Sequence, residues 1–175
     1  MYHAWLAATF AFVIFSASEP ANACMAEAPL LLRDVKYADV VVIGRIENYQ
    51  IIRDQEGRKK LPWLSESDAL ILTDYARFNV HVDEVLFGEA PKMLTVTWDN
   101  STFEEPKSMP PGPYLLALRH PQSDLPPLRG PSATIMPNKE PQALTVLQAP
   151  CAPAFIIKSG SKDALAVRKI LNRAK

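Results

Sequence analysis

Asp39-Val40-Val41-Val42-Ile43-Gly44-Arg45-Ile46-Glu47-Asn48-Tyr49-Gln50-Ile51-Ile52 reads as one long β-strand with a break inside it. Residues 40–43 are apolar without alternation, the pattern of a strand covered on both faces. Past Gly44 alternation sets in, with Ile46 and Asn48 on one face and Arg45, Glu47 and Tyr49 on the other. A glycine inside a strand marks a bulge or a sharp bend. A strand that is central in its first half and then bends is suited to serve both sides of a small barrel.

Working outward, Asp74–Phe87 is a second long strand, in which Phe78, Val80 and Val82 alternate with Arg77, Asn79, His81 and Asp83. Val85 falls out of phase, which places a bulge near Asp83-Glu84. Lys92–Trp98 is the third strand, with Leu94, Val96 and Trp98 on one face. Pro113–Arg119 is the fourth and Ala143–Gln148 the fifth. A short helix is expected between Pro29 and Ala38, and a last helix from Lys162 to Arg173. Ser161 is its N-cap, Asp163 complements its N-terminus, and Ala164, Val167 and Leu171 share its apolar side. The connection from Arg53 to Leu72 is polar, and its Arg58-Lys59-Lys60 triplet reads as a solvated loop rather than a recognition patch. His120–Pro141 is rich in proline, and Ala154–Ile157 is a further apolar piece before a turn at Ser159-Gly160. The fold expected is mainly β: a five-stranded OB-type barrel with flanking N- and C-terminal helices. An immunoglobulin-type sandwich is the rival, but it wants about seven strands.

The N-terminal stretch reads as an export signal. Ala4–Phe15 is an uncharged apolar run, too short to cross a bilayer core of about 30 Å as a helix. Pro20 stops a helix. Ala21-Asn22-Ala23 has the small-x-small form recognised by signal peptidase. The expected division is residues 1–23 as a cleavable secretory signal peptide and residues 24–175 as a single domain, periplasmic or secreted. Met1-Tyr2-His3 carries no Lys or Arg and Glu19 precedes the cut, both off the usual pattern. A buried N-terminal helix is the alternative. A cysteine directly after the cut is also where bacterial lipoproteins are modified, although Ala21 stands where those signals usually carry Leu. A membrane is therefore an expected partner only if Cys24 is lipidated.

The chain holds 19 Lys+Arg and 19 Asp+Glu, so it carries no net charge to attract nucleic acid or anionic membrane. Sixteen prolines against six glycines make for stiff connections. Cys24 and Cys151 are the two cysteines, and in an exported domain they are expected to pair. Closing so long a loop stabilises by up to about 4–5 kcal/mol on the chain-entropy account. The alternatives are two unpaired thiols, or a lipidated Cys24 with a free Cys151.

Three stretches in this order carry a family resemblance. Tyr37-Ala38-Asp39 leads through Val40–Ile43 to Gly44. Val80–Phe87 ends in Gly88. Gly112-Pro113-Tyr114-Leu115-Leu116-Ala117-Leu118 is a Gly-x-Tyr-Leu strand. With Cys24 opening the domain, the segment Cys24–Cys151 resembles the netrin-module and tissue-inhibitor-of-metalloproteinases superfamily. The resemblance implies an OB-type barrel. It also implies that the free amine of Cys24 would chelate a protease zinc while Met25 enters the specificity pocket. The inhibitors open with Cys-x-Cys and carry several disulfides, whereas this chain has Cys24-Met25-Ala26. OB-type folds host many functions, so the fold alone does not imply inhibition.

Chemistry-bearing constellations are sparse. His81 shares a strand face with Asp83, an arrangement open to a metal or an acid–base pair, but an isolated strand histidine is more often simply exposed. His120 opens the proline-rich connection. No Gly-x-Ser-x-Gly elbow, phosphate loop or Gly-x-Gly-x-x-Gly occurs. Asp83-Glu84 and Glu104-Glu105 are adjacent pairs, whose side chains point opposite ways on a strand. Trp98 reads as core, and Trp63 stands beyond Pro62. No catalytic residue, metal ligand or cofactor site is expected. The chain reads as an exported non-catalytic binding module with a protein partner, alternatively as a metalloprotease inhibitor acting through Cys24 and Met25.

Overall fold

Gly44 is where the first strand changes partners. In the computed structural model, which describes residues 27–60, 73–99, 106–128 and 140–173, strand β1 (Val40–Ile52) pairs with β4 (Tyr114–Arg119) only from Val40 to Gly44. It pairs with β2 (Tyr75–Phe87) along most of its length. Its first half therefore has a neighbour on each edge, as the unbroken apolar run requires. The register slips between Ile43 and Gly44, which leaves Asp83 as the extra residue of the expected bulge.

Strands β3 (Met93–Asp99) and β5 (Leu144–Val146) complete the ring in the order β1-β2-β3-β5-β4, with β4 closing back on β1. The β3–β5 pair is parallel and the others antiparallel. Gln50 pairs with Arg77, Arg77 with Thr97, Thr97 with Thr145 and Thr145 with Arg119, while Leu118 beside it pairs with Val40. A path around the barrel thus leaves β1 near one end and returns at the other, the stagger of steeply tilted strands. This is a closed five-stranded barrel of OB type.

Alternation divides the buried residues into two layers. Val40, Val42, Ile46, Phe78, Val80, Val96, Leu116 and Leu118 fill the barrel. Val41, Ile43, Leu115 and Ala117 point the other way, into a second cluster capped by helices. The cap consists of a 3-10 helix at Leu32–Tyr37, which supplies Val35, and helix α2 (Lys162–Arg173), which supplies Ala164, Val167 and Leu171. Ser161 Oγ accepts from the Ala164 N–H at 3.2 Å, the expected N-cap. The N-terminal helix differs from expectation: it is 3-10, and Pro29 lies before it.

Four further readings need correction. Asn48 has φ +54 and sits in a further slip of register between Glu47 and Gln50, so the alternation after Gly44 breaks. Tyr49 consequently turns inward and stacks on Phe78, with ring centroids 5.7 Å apart. The polar connection after β1 contains a short helix α1 (Gln55–Lys59), whose Arg58 is buried while Lys59 and Lys60 are exposed. Finally, the apolar piece near Ile157 is a sixth strand, β6 (Ile156–Lys158). It follows β5 along the same edge of β4, with Val146 opposite Leu118 and Ile156 opposite Leu116. Residues 147–155 make an excursion between the two, closed by the Phe155 N–H bonding to the Leu147 carbonyl at 3.0 Å.

Candidate functional site

The helices cover the outside of β4 and of the first half of β1. Among the described residues, no helix covers the outer face of the second half of β1 with β2 and β3. Antiparallel register lays that face out in rows. Arg45 pairs with His81 and His81 with Met93; Glu47 pairs with Asn79 and Asn79 with Thr95; Gln50 pairs with Arg77, beyond which Thr97 is buried beside β5. These are the side chains that alternation sends away from the filled interior.

Two ion pairs frame the rows. Arg45 contacts Asp83 at 2.7 Å, and its guanidinium lies 3.5 Å from His81 Nδ1. The two side chains singled out as an acid–base or metal pair are therefore together, with His81 Nδ1 3.6 Å from the Asp83 carboxylate, but a fixed cation stands beside both. That charge opposes a metal cation. Among the described residues no group of three or more His, Cys, Asp and Glu is placed to hold a metal. At the other end of the face, Glu140 accepts from the Tyr75 hydroxyl at 2.9 Å and pairs with Arg77 at 3.1 Å. Burial, then the hydrogen bond and charge of Glu140, push the Tyr75 hydroxyl up to about 12, so it stays a proton donor. Between the frames Thr95 donates to the Asn79 side-chain oxygen at 3.4 Å.

The connection from β4 to β5 is tied to both sides of the barrel. The Asp39 carboxylate accepts from the His120 N–H at 2.8 Å and from the Ser123 hydroxyl at 2.9 Å. Leu128 is buried in the helix-side cluster, whereas Glu140 is held on the bare face. His120 thus belongs to a loop anchor. Trp98 is partly buried against the interior, and its ring N–H donates to Gln148 at 2.8 Å.

Glu84, next to the bulge, forms a two-pronged pair with Arg168 of α2 at 2.9 and 2.5 Å. The hydrogen bond from Arg168 holds the Glu84 carboxyl below its usual value. The ionised pair therefore adds stability above the unfolded-state carboxylate range, and that stability is lost as pH falls through the lower folded value. Both side chains are partly exposed, at 35% and 49%, so solvent screening limits the effect to well under about 1 kcal/mol. Glu84→Gln is expected to flatten the acid limb of the stability profile, read as urea midpoints between about pH 6 and about pH 3.

The sequence-derived inhibitory residues, Cys24 and Met25, lie outside the described residues, as do the signal Met1–Ala23, Trp63 and Glu104-Glu105. Cys151 is described. It is buried in the 147–155 excursion with φ +66, and its carbonyl accepts from the Ala28 N–H at 2.7 Å. No free cysteine thiol occurs among the described residues. The chain matches no family model and no curated protein.

Sequence reasoning missed Arg45, Glu140 and Arg168 as partners. The bulge at Asp83-Glu84 was the usable signal, because a bulge re-aims adjacent side chains to both faces. Here it sends Asp83 to Arg45 and Glu84 to Arg168.

Proposed function

We propose that this chain is an exported, non-catalytic binding module that meets a protein partner with the bare outer face of β1, β2 and β3. One observation carries the reading. Half of the barrel's outside is sealed by helices, while the other half presents ordered rows of polar side chains, Arg45, Glu47, Asn79, His81 and Thr95, between two ion-paired frames. Side chains held by neighbours lose little freedom on binding, which favours recognition. The paired charges leave the face without the basic excess that nucleic acid demands. The apolar run Ala4–Phe15 and the Ala21-Asn22-Ala23 boundary support export.

The test places a photo-reactive residue at Asn79 or Thr95, and at Asn172 of α2 as control, in the chain expressed in its own cell. Protein adducts of defined mass from the first two positions and none from the third are expected. Equal adducts everywhere, or none on the face, would refute the reading.

The metalloprotease-inhibitor alternative draws support from the Ala28–Cys151 hydrogen bond, which lays the backbone four residues past Cys24 against the Cys151 loop. A Cys24–Cys151 disulfide would fit that juxtaposition, and intact mass before and after reduction reads it out together with the cleavage site and any lipid. Absence of inhibition of a panel of zinc proteases by micromolar mature protein would remove this alternative.

A further inference from the structure

The chain as a whole is neutral, but its charge is not evenly spread. From Lys158 to Arg173 the sequence has Lys158, Lys162, Arg168, Lys169 and Arg173 against the single acid Asp163. Helix α2 buries Ala164, Val167 and Leu171 against the barrel. Its opposite side therefore faces solvent. Lys162, Leu165, Lys169 and Arg173 recur there at spacings of three and four, so they form one stripe. All four are exposed, and Leu165 is among the most exposed large apolar side chains at 54%. Arg168 flanks the stripe but is neutralised by Glu84. The 3-10 helix packs against α2 and adds exposed Arg33, with exposed Leu31 at its N-cap. Its Lys36 lies over the Tyr37 ring at 4.9 Å, and its Asp34 is only partly buried.

We infer that this helical layer is a docking surface for an anionic phospholipid bilayer. Three lysine and arginine side chains on a convex helix face, with a leucine between them, combine the two terms of interfacial binding. The charges are drawn to anionic headgroups, and the apolar side chain enters the acyl boundary. A basic helix face with an apolar centre is the pattern of a membrane-surface element. Among the described residues no helix is long and apolar enough to cross a membrane, so the contact is peripheral. The sequence-wide neutrality that argued against such contact concealed a dipolar distribution, because the remainder of the chain carries the compensating acids. Docking by this layer would leave the bare face of β1–β3, on another side of the barrel, open to a partner. The two readings fail separately.

The experiment uses the mature chain made without lipid at Cys24, in flotation with vesicles of phosphatidylcholine alone and of phosphatidylcholine with phosphatidylglycerol. Binding to the anionic vesicles only, abolished by high salt, is expected. The Lys162→Gln/Lys169→Gln/Arg173→Gln variant should partition on the order of a hundredfold less, about fivefold for each lost charge. Leu165→Ser should weaken binding at unchanged salt dependence. The same variants are checked for an unaltered thermal melt, which exposed substitutions should preserve. No binding to anionic vesicles, equal binding to neutral ones, or full binding by the triple variant would overturn the inference. So would capture by soluble polyglutamate without vesicle binding, which would give the stripe to an acidic protein instead.

Discussion

Asp74→Ala is expected to lower the free energy of unfolding by about 3–5 kcal/mol, the cost of breaking a buried ion pair by removing one partner. For a domain of this size that is a fall in melting temperature of roughly 10 °C. Asp74 stands one residue before β2 with its side chain fully buried, and the Arg58 side chain that pairs with it is 4% exposed. One carboxylate oxygen accepts from Arg58, and the other accepts from the Asp54 N–H at 2.8 Å. Asp54 in turn caps α1, its side chain accepting from the Gly57 N–H at 2.9 Å. A single carboxylate thus fastens the connection after β1 to the start of β2. Removing it breaks a buried ion pair and releases a capped turn together. The double variant Arg58→Met/Asp74→Leu separates these effects. It removes both charges and keeps apolar volume, so it should recover most of the loss and stay about 1–2 kcal/mol below the parent for the lost Asp54–Asp74 hydrogen bond. Urea unfolding of the three proteins reads this directly. A loss below about 1 kcal/mol in Asp74→Ala would mean that the pair is hydrated in solution.

Arg58 also shows where the sequence stops being legible. It sits in a run with Lys59 and Lys60, and a run of bases is ordinarily a solvated face. Helix α1 is five residues long, too short for any apolar period to announce its inward side. The decisive partner, Asp74, is sixteen residues away across a connection with no regular pattern. The same logic separates the other successes from the misses. Helix α2 was legible because Ala164, Val167 and Leu171 repeat at helical spacing and Ser161 marks the start. The double-faced start of β1 was legible because four successive apolar residues need cover on both sides. Asn48 was not, because one residue at positive φ reverses the faces of everything after it without changing composition. The β5–β6 edge was seen only as fragments, since the excursion that interrupts it carries Pro150 and Pro153 on either side of Cys151. The bare face was half visible. Alternation gave its residues, but which outer face the helices would cover depends on packing between elements far apart in the chain.

Gly44→Val is expected to cost about 3 kcal/mol, the upper part of the range for overpacking a filled core. The reason is contact rather than backbone freedom. A Cβ added at Gly44 would lie 2.6 Å from the His81 carbonyl oxygen and 2.6 Å from Val80 Cγ1. Val80 is fully buried in the barrel, and the His81 carbonyl belongs to the ladder between β1 and β2, so neither can simply swing aside. Relief requires β1 and β2 to part where Gly44 faces Val82, at the bulge that places Asp83 against Arg45. The strand bend and the geometry of the bare face are therefore set by the same missing side chain. Gly160→Ala is the matched control: no atom lies within 4 Å of its added Cβ, and a change within about 0.5 kcal/mol is expected. The shape of the loss distinguishes two ways the barrel can respond. If strain is local, His81 and Asn79 resonances move while those of α2 stay fixed, and partner adducts from Asn79 weaken along with stability. If the barrel opens as a whole, amide protection falls on both sides of Gly44 together, because β1 is the strand shared by the β2 and β4 ladders. A Gly44→Val protein as stable as the parent would mean that the two strands approach less closely than these distances require, and that another residue makes the bend.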